Sequence, residues 1–109
     1  MAYDERLAAR IRQSLARKKG IKEKKMFGGI GFLLNGNMLV GVWKDSLVVR
    51  LDPGEYDDAL KEPFVKEFDI TGRPMKGWVL VGAEGIESDE QLKDWIGRAV
   101  KFVGKLPAK

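Results

Sequence analysis

The stretch Ile30-Gly31-Phe32-Leu33-Leu34-Asn35-Gly36-Asn37-Met38-Leu39-Val40-Gly41-Val42-Trp43-Lys44-Asp45-Ser46-Leu47-Val48-Val49-Arg50-Leu51 decides the fold class. Asn35-Gly36 separates two apolar runs. Both central residues of a type I′ turn need positive φ, which Asn and Gly accept most readily, so the pair is a strong hairpin signal. Lys44-Asp45-Ser46 marks a second tight turn before Leu47 to Leu51. The spacing therefore predicts three antiparallel strands in a meander, entered through Met26-Phe27-Gly28-Gly29.

Upstream, Leu7, Ala8, Ile11 and Leu15 recur at helical spacing, with Glu5, Arg6, Arg10 and Arg12 on the remaining face. This predicts an amphipathic helix from Tyr3 to about Arg17, stopped by Gly20. Downstream, Asp52-Pro53-Gly54 breaks the sheet and Glu55 to Leu60 reads as a short helix with acidic residues near its start. Phe64 to Ile70 alternates irregularly as a strand, Thr71 to Gly77 is rich in turn formers, and Trp78 to Val81 reads as a strand. Ser88 opens the last helix with a Ser-x-x-Gln capping box to Gln91. Its apolar stripe runs Leu92, Trp95, Ile96, Ala99, Phe102, Val103, Leu106.

The expected order is helix, three strands, short helix, one or two strands, helix: a two-layer α+β domain over residues 1–109, with the N- and C-terminal helices on one face of an antiparallel sheet. The strands alternate poorly in their centre. The other face is thus expected to be partly apolar and to offer a surface to a partner or to a second copy in a homodimer.

Composition narrows the chemistry. The 109 residues include no Cys and no His, which removes disulfides, thiol nucleophiles, thiolate zinc sites and imidazole bases. The remaining residues call for no metal or cofactor. Asp4 and Glu5 follow the start at once and no apolar run approaches the roughly 20 residues of a membrane helix, so a cytoplasmic protein is the expectation.

The net charge of +4 is unevenly placed. Residues 1–25 carry nine Lys/Arg against three Asp/Glu, residues 26–87 six against ten, and residues 88–109 five against three. Densest is the segment Arg17, Lys18, Lys19, Lys22, Lys24, Lys25, opposed only by Glu23. Its structural reading is a solvated helix end and loop; its functional reading is contact with an anion, a nucleic acid or an acidic protein face.

Other motifs test poorly. Gly28-Gly29-Ile30-Gly31 lacks the Gly-Lys-Ser/Thr of a phosphate loop, and Leu34 stands where a dinucleotide fingerprint needs its third glycine. Lys25 to Phe32 partly overlays the RNA-recognition strand pattern, which would make Phe27 and Phe32 base-stacking platforms, although both read more simply as core. Asp57 and Asp58 are adjacent on a helix and point apart, so they form no acid/base pair. Arg73 and Lys76, in a loop bounded by glycines, are candidates to hold an anionic ligand.

Three blocks, Lys25-Met26-Phe27-Gly28-Gly29, Leu34-Asn35-Gly36-Asn37-Met38 and Gly72-Arg73-Pro74-Met75-Lys76-Gly77-Trp78, together resemble the N-terminal domain of the TfoX/Sxy family of natural-competence regulators. The resemblance implies a stand-alone domain with an α+β fold similar to secretion chaperones. In it Met26, Phe27, Gly28, Gly29, Gly72, Pro74, Met75, Gly77 and Trp78 are mainly structural, and no residue is catalytic. It further implies a non-enzymatic module acting in transcription through protein partners. The alternative is a small anionic-ligand-binding protein or enzyme using the Gly72–Trp78 loop.

Overall fold

A computed structural model describes residues 3–26, 28–68 and 76–108. Helix α1 (Glu5–Ser14) is followed by strands β1 (Ile21–Met26), β2 (Gly29–Leu34), β3 (Asn37–Trp43) and β4 (Ser46–Arg50). A 3₁₀ turn (Pro53–Glu55) and helix α2 (Tyr56–Leu60) lead to strand β5 (Val65–Glu67). Strand β6 (Trp78–Val81), a second 3₁₀ turn (Ala83–Gly85) and helix α3 (Asp89–Val103) complete the order. The strands form one antiparallel sheet in the order β1-β2-β3-β4-β6-β5. The architecture is the expected α+β one, with α1 and α3 contributing to a single large core on one face.

The meander stands as predicted. Asn35 and Gly36 take φ of 52° and 85°, the pair of positive values a type I′ turn demands, and Lys44 takes 56° at the second turn. Strand β3 gains a residue the alternation did not reveal: Phe32 pairs with Val40 but Leu33 pairs with Met38. Leu39 is the extra residue of a bulge, and both it and Val40 end up fully buried in the helix-side core.

One strand was missed. The sequence reads from Arg17 to Lys25 as a helix end and loop, yet Ile21–Met26 is β1, an edge strand paired in full with β2 from Ile21–Leu34 to Met26–Gly29. Lys22, Glu23, Lys24 and Lys25 are all exposed. An edge strand needs no apolar alternation when its partner supplies the ladder, and lysines there oppose unwanted pairing with a further strand. The first helix is correspondingly shorter than its apolar spacing implied. Asp4 caps it, its side chain accepting from the amides of Arg6 (2.9 Å) and Leu7 (3.2 Å), and it ends before Leu15, which stays buried beyond the helix end. Gly20, at φ 84°, turns the chain into β1 instead of stopping the helix.

Helix α3 starts with the full capping box: Ser88 Oγ accepts from the Gln91 amide at 3.1 Å and Gln91 Oε1 accepts from the Ser88 amide at 3.0 Å. Its buried stripe is Leu92, Trp95, Ile96, Ala99 and Val103, with Phe102 and Leu106 partly buried against the same core. Buried Asn37 at the start of β3 donates from Nδ2 to the Pro107 carbonyl at 2.9 Å, holding the segment after α3 against the sheet.

Candidate functional site: the open face of the sheet

Directly opposed residues of an antiparallel pair share a face, so the register sorts every strand position. One row facing the helices runs Lys25, Ile30, Val42, Leu47, Val81, Val65; the next runs Glu23, Phe32, Val40, Val49, Val79, Glu67. Between them, on the opposite face, lies Lys24, Gly31, Gly41, Val48, Leu80, Lys66. No helix among the described residues packs on this row. A second apolar cluster forms there instead, with Val48, Phe68 and Leu80 buried and Trp43 and Trp78 half-buried against them. The expectation of a partly apolar second face is met.

Charge is sorted by face. Both strand glutamates, Glu23 and Glu67, lie at the ends of the helix-side row, whereas Lys22, Lys24 and Lys66 occupy open-face positions. Among the described residues of the six strands, no open-face position carries a carboxylate. The side that holds the helices also holds the ion pairs: Arg12 forks onto Glu23 (2.6 and 2.7 Å), and Arg98 reaches Glu62 (2.6 Å) and Asp94 (2.9 Å). The hydrogen bond with Glu23 raises the Arg12 pKa, and the same bond holds the Glu23 carboxyl below its ordinary value. Lys22, Lys24, Lys44 and Lys66 make no such pair with the described residues.

The aromatic residues of this face carry cations. Lys44 Nζ lies 4.7 Å from the centre of the Trp43 ring. At the rim, Arg50, opposite Trp78 in the register, has its guanidinium carbon 5.4 Å from the Trp78 ring and 5.7 Å from that of Phe102. Burial lowers the Arg50 pKa, and its partners among the described residues are two rings and the Met38 carbonyl (3.5 Å). Phe68 stacks on Trp78 with centroids 6.1 Å apart. At the other end the Met26 and Met38 sulfurs lie over Gly31, where an added Cβ would come within 2.8 and 2.9 Å of them.

The basic segment read from the sequence is thereby divided. Arg17, Lys18 and Lys19 are exposed in the turn between α1 and β1, Lys22 and Lys24 lie on the open face, and Lys25 turns to the helix side in register with Ile30. Phe32 is fully buried in the helix-side core, so it is no base-stacking platform. Phe27, Gly72, Arg73, Pro74 and Met75 lie outside the described residues. Lys76 is exposed and lines none of the cavities of about 280, 250, 220 and 320 Å³. Those cavities lie at or below the lower end of the usual ligand-pocket range, and charges of both signs line the one of 320 Å³. Gly77, at φ 92°, accepts from the Leu51 amide through its carbonyl at 2.6 Å and feeds Trp78 into β6. The aromatic half of the open face was not anticipated, although the odd-numbered positions of Gly41 and Trp43 against Val40 and Val42 held the signal.

The model of the TfoX N-terminal domain matches residues 13–103, a span that takes in the whole sheet and α3. The chain belongs to the TfoX N-terminal domain family. No curated protein and no solved structure matches it. The TfoX N-terminal domain described here contains no helix among its described residues long and apolar enough to cross a membrane. Of the family blocks, Met26, Gly28, Gly29, Gly77 and Trp78 serve the sheet: Met26 pairs with Gly29, Gly28 makes the intervening turn at φ 77°, and Gly77-Trp78 begins β6.

Proposed function

We propose that this TfoX N-terminal domain is a non-enzymatic binding module that meets an anionic macromolecular partner through the open face of its sheet. It would work in the cytoplasm, in the regulation of transcription, as its likeness to competence regulators implies. The observation that carries the reading is the sorting of strand charge by face, with three of the four strand lysines, Lys22, Lys24 and Lys66, on the open side and both strand glutamates on the helix side. Such a surface attracts anions over about a Debye length and repels other cationic surfaces.

The test compares two triple variants of equal charge on a heparin column, heparin serving as a generic polyanion. Lys22, Lys24 and Lys66 are replaced by Gln in one variant; exposed Lys93, Lys101 and Lys105, on and just after α3, are replaced in the other. The open-face variant is expected to elute at much lower salt than the wild type, and the helix-side variant close to it. Equal losses in both would show that net charge alone governs retention and would remove the open face from the account.

A further inference from the structure

We infer that the partner of the open face is single-stranded nucleic acid, whose bases stack on Trp43 while Lys22, Lys24, Lys44 and Lys66 meet its phosphates. The inference rests on the polyanion-binding reading above and specifies it.

Three observations support it. First, the cations lie on both sides of an aromatic centre: the row between Lys24 and Lys66 crosses all six strands, about 24 Å at the usual spacing between strands. A flexible strand of several nucleotides can follow that path. Second, the middle of the row is Gly31 and Gly41 and then Val48 and Leu80, with both tryptophans half-buried against the Val48-Phe68-Leu80 cluster. The Met26 and Met38 side chains cover Gly31, so the floor between Lys24 and the rings is apolar. Third, a cation stands beside Trp43, with Lys44 Nζ 4.7 Å from its ring centre, while Trp78 is packed by Phe68 and Arg50 and walls the site. A ring beside a cation suits a ligand in which planar bases alternate with phosphates, as in proteins that bind single strands through stacking platforms in a basic groove.

The same observations disfavour other occupants. A second copy docking by a two-fold axis would set the open-face lysines of one copy against those of the other, with no open-face strand carboxylate among the described residues to offset them. An acidic peptide would use the lysines but leave the Trp43 platform without purpose. A rigid duplex presents phosphates outward and its bases edge-on, so it cannot stack.

The test is fluorescence anisotropy with a labelled 20-nucleotide oligo(dT), alongside a duplex of equal length, heparin and poly-glutamate as competitors. Four phosphate contacts to a single strand give a log–log salt slope of about −2.8, hence about 50-fold weaker binding between 50 and 200 mM salt. With Lys22, Lys24 and Lys66 replaced by Gln, one contact remains and the same salt change costs only about 3-fold. Trp43→Leu is expected to weaken oligo(dT) binding by about 5- to 150-fold while leaving heparin retention unchanged. Should Trp43→Leu fail to fold, quenching of wild-type tryptophan fluorescence by oligo(dT) but not by heparin reads the same contact. Heparin, poly-glutamate or duplex binding as tightly as oligo(dT), with no effect of Trp43→Leu and no quenching, overturns the base-stacking inference and leaves the polyanion reading standing. If neither oligo(dT) nor heparin binds at low salt, both fall.

Discussion

Replacing Ser88 by Ala removes one half of the box that starts α3, and the structure sets the size of the effect. Ser88 Oγ accepts from the Gln91 amide at 3.1 Å, and Gln91 Oε1 answers with 3.0 Å to the Ser88 amide. Both groups are exposed, so water replaces each lost partner in part. An N-cap Ser→Ala change costs about 1 kcal/mol, within a range of about 0.5–2. The value here belongs in the middle of that range, because the first turn positions Leu92, which is 1% exposed in the core. Fraying would unseat a side chain whose burial contributes about 1.5–3 kcal/mol. Ser88→Gly should cost only about a few tenths of a kcal/mol and Ser88→Asp should retain most of the stability. Urea unfolding followed by far-UV circular dichroism measures this. With a slope of about 1–3 kcal/mol/M, a loss of about 1 kcal/mol moves the midpoint down by about 0.3–1 M at unchanged slope. An unchanged midpoint for Ser88→Ala, or equal losses for Ala and Asp, would refute the capping argument.

Three further outcomes follow from the fold. Gly97 is exposed on α3 with open space where a Cβ would stand, so Gly97→Ala should stabilise by about 0.5–1 kcal/mol, read from the same urea midpoint. Gly36, at φ 85°, should lose about 1–2 kcal/mol on replacement by Ala, since a Cβ is strained there whatever the surrounding space. Glu23, whose folded pKa is lowered by Arg12, contributes stability that is fully present above its unfolded pKa of about 4.3 and is lost as pH falls through the folded value. The pair is largely exposed and screened, so the contribution is at most about 1 kcal/mol. Glu23→Gln should therefore destabilise slightly at pH 7 and narrow its gap to the wild type below about pH 4, as thermal melts across a pH series will show.

The elements most legible in the sequence are those whose determinants are local. Asn35-Gly36 and the Ser88–Gln91 box prescribe backbone geometry within four residues, and both stand in the structure. Strand β1 was illegible for the opposite reason: Ile21 to Met26 shows no alternation, since an edge strand with four exposed residues owes its pairing to β2 rather than to its own propensity. The bulge at Leu39 is likewise a property of two strands together, invisible in either alone. The candidate site was half legible. The basic run drew attention to Lys22 and Lys24, but only the register separates them from Lys25 and joins them to Lys66, about forty positions along the chain. Phe32, which its motif would make a stacking platform but which reads more simply as core, is core, sent there by its parity with Val40 and Val49. Trp43 and Trp78 are half-buried members of the open face, a placement set by the register and not by any local motif.

The three tryptophans make the decisive measurement simple, because two lie on the open face and Trp95 is buried under α3 with Arg98 over its ring at 4.3 Å. Titrating oligo(dT) into ¹⁵N-labelled protein and following the three indole N–H resonances tests the account most directly. It predicts that the Trp43 and Trp78 signals move with the backbone amides of Gly31, Gly41, Val48 and Leu80 while the Trp95 signal stays in place. Shifts confined to Trp95 and the helices, with Trp43 and Trp78 unmoved, would contradict it.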